Sequence, residues 1–134
     1  MNAPREVEFV GGALDDLRAL PLSARREAGY QIDRVQRGLE PDDWKPMSTV
    51  GPGVREIRIR DVTGAFRVLY IAKFAKVVYV LHCFQKKSEK TSKVDLDLAA
   101  KRYRHLLKEL KPWASNDTKA CGTPSRARRR KRKT

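Results

Sequence analysis

The chain has 134 residues, of which 40% are hydrophobic, and its formal net charge is +14. This length and composition allow one domain with a modest core. The sequence has neither an apolar run of about 18 residues nor a secretory signal, so we expect a cytoplasmic protein without a membrane span. The positive charge favours a polyanionic partner, nucleic acid above all.

The first part of the chain predicts a strand followed by two helices. Residues 5–10 alternate polar and apolar side chains, which is typical of a short strand. A short helix is predicted over residues 13–20. Ser23 is a candidate N-cap for a second helix over residues 24–37, so the two helices should form an αα-hairpin.

Residues 40–53 are rich in turn-forming residues and are predicted to be a loop. Within them Gly51-Pro52-Gly53 fits no phosphate-binding fingerprint and indicates a turn. Three strands of a β-meander should follow, over residues 54–61, 65–74 and 76–84. The last is nearly all apolar, as expected of a central strand buried on both faces.

The final helix should begin at Ser92, with Asp95 placed for a capping box, and should end at Pro112. The C-terminal segment carries eight positive charges and no acid within residues 118–134. Such a segment cannot bury enough apolar surface to fold alone. We therefore expect a domain over residues 1–112 and a disordered basic tail over residues 113–134, which is either dispensable or an electrostatic tether to RNA.

The two cysteines give no indication of a disulfide or a metal site. Cys83 lies in an apolar, strand-like run and Cys121 lies in the polar C-terminal segment. Neither has a zinc-binding spacing to other Cys or His residues, and no acidic cluster suits magnesium. We expect neither a metal nor another cofactor.

The alternating strand VREIRIRD carries the first candidate functional residues. Because alternate residues share a face, Ile57 and Ile59 should point to the core. Glu56, Arg58 and Arg60 should then project together from the other side. This pattern fits a solvated sheet face, and it equally fits a phosphate-binding face on which Glu56 orients an arginine or moves a proton.

Arg67 lies between Phe66 and Val68 in an apolar run, where a guanidinium needs a partner. A salt bridge to Glu56 would satisfy it. The alternative is a fixed positive charge aimed at a scissile phosphate. The sequence leaves both interpretations open.

Basic residues also gather between the last strand and the final helix. A lysine-rich turn is often no more than soluble surface, but here Phe84 offers an aromatic ring for base stacking, which suits single-stranded RNA. His82 fits a paired core histidine as well as a catalytic one. The basic residues of this segment are Lys86, Lys87, Lys90 and Lys93.

Several motifs in order carry a family resemblance. WKPMSTVGPGVREIRIRD, FRVLY, VLHCFQKKSEKT and LAAKRYRHLL resemble the phage-derived, HigB-type branch of the RelE toxin superfamily, over roughly residues 5–110. The resemblance implies an α+β fold in which an N-terminal helical hairpin and a C-terminal helix pack on an antiparallel sheet. It also implies a toxin of a type II toxin–antitoxin system that cuts messenger RNA on the ribosome and is neutralised by a helix-turn-helix antitoxin.

The matching motifs carry roles onto individual residues. Metal-independent cleavage through the 2′-hydroxyl needs a base, stabilisation of the phosphorane and an acid for the leaving oxygen. We expect Arg58 and Arg67 to stabilise the phosphorane and Lys87 to be the general acid, helped by neighbouring cations. Glu56 or His82 is the candidate base. The expected RNA-binding residues are Arg60, Phe84, Lys86, Lys90 and Lys93.

Two other functions are compatible with the same residues. ParE-like relatives share the fold but inhibit DNA gyrase by protein contact. A non-enzymatic RNA- or ribosome-binding module would use its arginines for phosphate contact alone. The basic residues and the FQKK motif favour RNA cleavage over the ParE-like activity. The binding module stays open, as does a third alternative, an inactive remnant of the toxin.

Overall fold

The computed structural model describes residues 4–72, 76–87 and 90–115. In this part of the chain, five strands form one sheet with the order β1-β5-β4-β3-β2. The strand β1 is parallel to β5, and the other neighbouring pairs are antiparallel, which confirms the α+β class. The elements are β1 (Glu6–Phe9), α1 (Ala13–Arg18), α2 (Leu22–Gln36), β2 (Trp44–Pro46), β3 (Val54–Asp61), β4 (Gly64–Ile71), β5 (Val77–Lys86) and α3 (Lys93–Ser115).

Different helices bury the two faces of the sheet. The hairpin of α1 and α2 covers one face, where Ile32 belongs to the same apolar cluster as Val68. The helix α3 covers part of the other face, where Tyr103 and Leu69 belong to a second cluster. Adjacent residues of one strand enter different clusters because side chains alternate along a strand. Each fully buried Val, Leu, Ile or Phe contributes roughly 1.5–3 kcal/mol.

The inner strand β5, between β1 and β4, is buried over most of its length, as its apolar run predicts. Its pairing with β4 contains a bulge, because Leu69 pairs with His82 whereas Tyr70 pairs with Val80. The extra residue, Leu81, lies in the α3-side cluster. A bulge redirects the residues that follow it, so His82 and every second residue after it project toward the α3 side.

The prediction of a loop over residues 40–53 is wrong at Trp44–Pro46, which forms the edge strand β2. An edge strand tolerates Pro46, which cannot donate a hydrogen bond, because one side of the strand has no neighbour. The guanidinium of Arg55 on β3 lies 4.1 Å from the centre of the Trp44 ring. This cation–π contact adds to the backbone pairing that holds the short strand.

The prediction of Ser23 as an N-cap is also wrong. The helix α2 begins at Leu22 and its N-cap is Pro21. The hydroxyl of Ser23 instead donates to Asp61 Oδ2 at 2.7 Å. The hydroxyl therefore ties α2 to the end of β3, a long-range contact that no local pattern reveals.

The start of α3 agrees with the prediction, but its end does not. The backbone amide of Asp95 donates to Ser92 Oγ at 3.1 Å, which confirms the N-cap. The other half of the predicted capping box is wrong, because the Asp95 carboxylate faces the Ser92 hydroxyl and His82 instead of the Ser92 amide. The helix then runs through Pro112 to Ser115. A proline keeps a helical φ and removes one backbone donor, so near a helix end it interrupts a single hydrogen bond.

Some predicted features lie outside the described residues. They are the end of the strand predicted over residues 65–74, which stops at Ile71 in the structure, and the segment from residue 116 onward, including Cys121. Within the described residues, no helix combines the length and apolar character needed to cross a bilayer.

The turn before β3 packs closely against the ring of Tyr103 in the core. A Cβ added at Gly51 would lie 2.3 Å from Cε2 of Tyr103. We expect Gly51→Ala to lower the free energy of unfolding by about 1–3 kcal/mol, because the ring or the turn must shift. Gly29→Ala is the matched control, since a Cβ there meets nothing within 4 Å on α2, and it should stabilise by about 0.5–1 kcal/mol. Urea unfolding measures both, and equal effects would contradict the close packing.

Candidate nucleic-acid interface

The strand register brings the predicted cations together on the α3 side of the sheet. Directly paired residues of neighbouring strands project to the same side. Arg58 pairs with Arg67, and Arg67 pairs with Phe84, so the three form one row across β3, β4 and β5. The row on one side contains Arg60, Ala65 and Lys86. The row on the other side contains Lys45, Glu56, Leu69 and His82. We call the cations Lys45, Arg58, Arg60, Arg67 and Lys86 the basic face.

An acid–base pair is buried beneath the exposed cations. Glu56 is 1% exposed and Arg67 is 4% exposed, whereas Arg58 and Arg60 are exposed. Arg67 Nε lies 3.7 Å from Glu56 Oε1, as in the salt-bridge interpretation of the sequence, and its Nη1 group donates to the carbonyl of Phe66 at 3.0 Å. Burial lowers the pKa of Arg67, and the negative charge of Glu56 acts in the opposite direction.

Two lysines flank this buried pair. Lys45 Nζ lies 4.0 Å from Glu56 Oε1, and its side chain is 48% exposed. Partial burial and the positive charges of Arg67, Lys45 and Arg58 lower the pKa of Lys86. A lowered pKa lets an ammonium release its proton more readily, which a general acid requires. The sequence did not single out Lys45, because it lies in the strand that was expected to be a loop.

A cavity of about 290 Å³ opens where β5 ends and α3 begins. The structure therefore brings together four of the predicted residues of this segment. It separates Lys93 from them, since Lys93 Nζ instead lies 3.0 Å from Asp97 Oδ2 in the first turns of α3. The residues that line the cavity are Phe84, Gln85, Lys86, Lys87, Lys90, Ser92 and Asp95.

His82 lies next to this cavity and is buried. Its Nε2 atom is 2.8 Å from Asp95 Oδ1 and its Nδ1 atom is 3.1 Å from Asp16 Oδ2. The ring stacks on Phe84 with 4.8 Å between centroids. Both ring nitrogens thus face carboxylate oxygens. His82 thus links α1, β5 and α3 and supports the ring of Phe84.

Arg102 of α3 completes this cluster, and neither it nor Asp16 was noticed in the sequence. Its Nη1 group donates to Asp16 Oδ2 at 2.7 Å and to the carbonyl of Leu81 at 2.9 Å. A Cβ at Gly11 or Gly12 would lie 3.1 Å from the guanidinium group, so the two glycines leave room for it. The partners are 86 residues apart in the chain, too far for any local motif to reveal.

Two other titratable side chains, His105 and Cys83, lie outside the basic face. His105 is exposed on α3, with Nε2 3.2 Å from Glu109 Oε2. Burial raises the pKa of the Cys83 thiol to about 12, so it stays protonated. Among the described residues, no three His, Cys, Asp or Glu side chains converge in a way that could hold a metal ion.

The helical hairpin, the five-stranded sheet and the C-terminal helix together define an α+β protein of RelE-like fold. The free-state structure of an arginine-to-alanine double mutant of the E. coli toxin RelE matches it with a TM-score of 0.56 and 17% identity, covering 78% of this chain and 100% of that chain. A family model described as "Phage derived protein Gp49-like (DUF891)" matches residues 15–104. The chain therefore belongs to the Gp49-like family. No curated protein matches it.

Proposed function

We propose that this protein is the toxin of a type II toxin–antitoxin system, of the HigB type, which inhibits translation by cutting messenger RNA on the ribosome. The observation that carries the proposal is the basic face, where cations from β2, β3, β4 and β5 converge on one side of the sheet. The RelE-like fold and the resemblance of the motifs support it. The proposed partners are the ribosome with its mRNA and a helix-turn-helix antitoxin.

The proposed reaction is attack of the RNA 2′-hydroxyl on the adjacent phosphorus, with loss of the 5′-oxygen. The exposed Arg58 would contact the phosphorane, and one such interaction is typically worth about 2.7–4 kcal/mol. Arg67, which is 4% exposed, would add its positive charge from beneath the face without direct contact. Lys87 lines the cavity beside the basic face and is a candidate general acid. Lys86 joins it as a candidate because its pKa is lowered.

Both candidate bases are buried. Glu56 is 1% exposed and His82 is 5% exposed, and both nitrogens of His82 already face carboxylates. A base needs to come within about 2.6–3.2 Å of the proton that it removes. Neither residue can do so without repacking, so we propose that both act by holding other groups, and that the ribosome supplies part of the substrate geometry.

Mapping RNA ends from translating ribosomes incubated with the purified protein tests this function. We expect cuts in the bound mRNA with 2′,3′-cyclic phosphate ends. The exposed pair Arg58→Ala/Arg60→Ala should lower the cleavage rate by about 10²-fold or more, because about 2.7–4 kcal/mol of charge stabilisation is lost. Lys108→Ala, which removes an exposed lysine on α3, is the matched control and should cleave like the wild type.

Other outcomes would identify the alternative functions. Intact mRNA together with inhibited DNA supercoiling by gyrase would indicate the ParE-like activity. Intact mRNA with salt-sensitive ribosome binding would indicate a binding module, because phosphate contacts weaken steeply as salt rises.

A further inference from the structure

We propose that Glu56 is a positioning residue whose buried carboxylate orients Arg67 and Lys45, and that Lys45 thereby becomes a phosphate-contacting cation of the basic face. The inference rests on the proposed RNA-cleaving function and deepens it. It gives Glu56 the role of positioning two cations instead of the role of a base. It also adds a contact on β2, an element that the sequence did not predict.

The surroundings of Glu56 suit a fixed anion. Its side chain is 1% exposed, and neither carboxylate oxygen has a hydrogen-bond partner among the described residues. An ionised carboxylate in such a place costs several kcal/mol unless nearby charges compensate it. Two cations approach the same oxygen, Oε1, with Arg67 Nε at 3.7 Å and Lys45 Nζ at 4.0 Å. The carboxylate therefore attracts both cations to one point under the face.

Arg67 also carries an unused donor. Its Nε atom is buried and has no hydrogen-bond partner in the described part of the chain. The 3.7 Å separation from Glu56 Oε1 is an ion-pair distance and too long for a hydrogen bond. The guanidinium is therefore held by its hydrogen bond to the carbonyl of Phe66 and, on its Nε side, by the charge of Glu56. Loss of that charge would let Arg67 turn away from the row that it shares with Arg58 and Phe84.

Lys45 is placed to contact the substrate. It pairs with Glu56 across the β2–β3 ladder, so it lies on the same side of the sheet as the other cations. Its side chain is 48% exposed, and its charge is one of those that lower the pKa of Lys86. Lys45 is thus attracted by the buried carboxylate of Glu56 and also presents an exposed ammonium group near Lys86, a candidate general acid. A phosphate at the face would meet Lys45 from the β2 edge.

The first experiment separates positioning from proton transfer at Glu56. Glu56→Gln keeps the shape of the side chain and removes its charge. We expect the single-turnover cleavage rate on ribosome-bound mRNA to fall by about 10²-fold, as for a misplaced catalytic group. Affinity for a single-stranded RNA oligonucleotide should change less than in Lys45→Ala, because Lys45 loses its orientation while a negative charge leaves the basic face, and the two effects oppose each other. The pH–rate profile should keep its shape, and Glu56→Asp should recover part of the rate.

Loss of the acidic limb of that profile in Glu56→Gln would show that Glu56 is the base, and an unchanged rate would show that it has no role. Either result overturns the inference while wild-type cleavage upholds the proposed function. If the wild type cuts nothing, the proposed function fails and this inference falls with it. Circular dichroism and a melting curve establish that each variant is folded.

The second experiment uses Lys45→Ala, which removes an exposed side chain and leaves the core intact. We expect a weaker affinity for the oligonucleotide and a slope of log K against log salt that is shallower by about 0.7, the value for one phosphate contact on a single strand. Lys108→Ala on α3 is the matched control and should keep the wild-type slope. Lys45→Ala/Glu56→Gln should lose less activity than the sum of the single losses, since Glu56 acts partly through Lys45. Equal behaviour of the two lysine variants, or strict additivity, would overturn the proposal.

Discussion

Arg67→Ala should lower the free energy of unfolding by about 3–5 kcal/mol and abolish cleavage. The stability loss arises because the substitution leaves Glu56, which is 1% exposed, as a buried anion without its nearest cation. Chemical denaturation of the purified variant measures it. Loss of activity at this position would therefore report folding as well as chemistry, and thermal stability has to be measured beside it.

Two further variants isolate the buried pair. Arg58→Ala removes the exposed neighbour in the same row and should leave stability within about 0.5 kcal/mol of the wild type, as surface substitutions do. Adding Glu56→Gln to Arg67→Ala should restore part of the lost stability, because the uncompensated charge is removed. An Arg67→Ala variant as stable as Arg58→Ala would mean that Glu56 does not depend on Arg67.

The sequence predicted those elements whose pattern is local. The alternation of VREIRIRD placed Ile57 and Ile59 in the core and Arg58 and Arg60 on the open side, and the structure confirms this. The apolar run of β5 likewise identified a central strand. For these residues burial follows from the side chain's own position in the strand, so no distant contact is needed to predict it.

The prediction failed where distant segments decide the structure. The strand β2 has three residues and one proline, and it exists because it pairs with β3. Ser23 bonds to Asp61, 38 residues away, instead of capping its own helix. The packing of the sheet brings these partners together. A pattern read over a few neighbouring residues cannot predict such contacts.

In the candidate site, too, the residues marked by local patterns were predicted, and those that depend on distant contacts were missed. Arg58, Arg67 and Lys86 were found because strand patterns and motifs mark them, and the register then aligned them. Lys45 was missed with its strand. The burial of Glu56 was missed because alternation tells which side a residue faces, and coverage by α3 and by neighbouring side chains decides whether that side is open.

His82→Ala should lower the free energy of unfolding by about 3 kcal/mol, because the contacts of both ring nitrogens with carboxylates are lost together with the buried ring. The ring is 5% exposed and contacts Asp16 of α1 and Asp95 of α3, so both helices lose a common attachment to β5. In a domain of this size the melting temperature should fall by on the order of 10 °C. Differential scanning calorimetry measures the change.

The other histidine provides the matched control. His105 Nε2 also lies close to a carboxylate, 3.2 Å from Glu109, but its side chain is 61% exposed. His105→Ala should therefore change stability by less than about 0.5 kcal/mol, since exposed pairs contribute little. His82→Phe should keep the stacking on Phe84 and lose both hydrogen bonds, so its melting temperature should lie between those of His82→Ala and the wild type. If His82→Ala melted like His105→Ala and lost only its cleavage activity, His82 would be the proton acceptor, and its two carboxylate contacts would serve to orient a base.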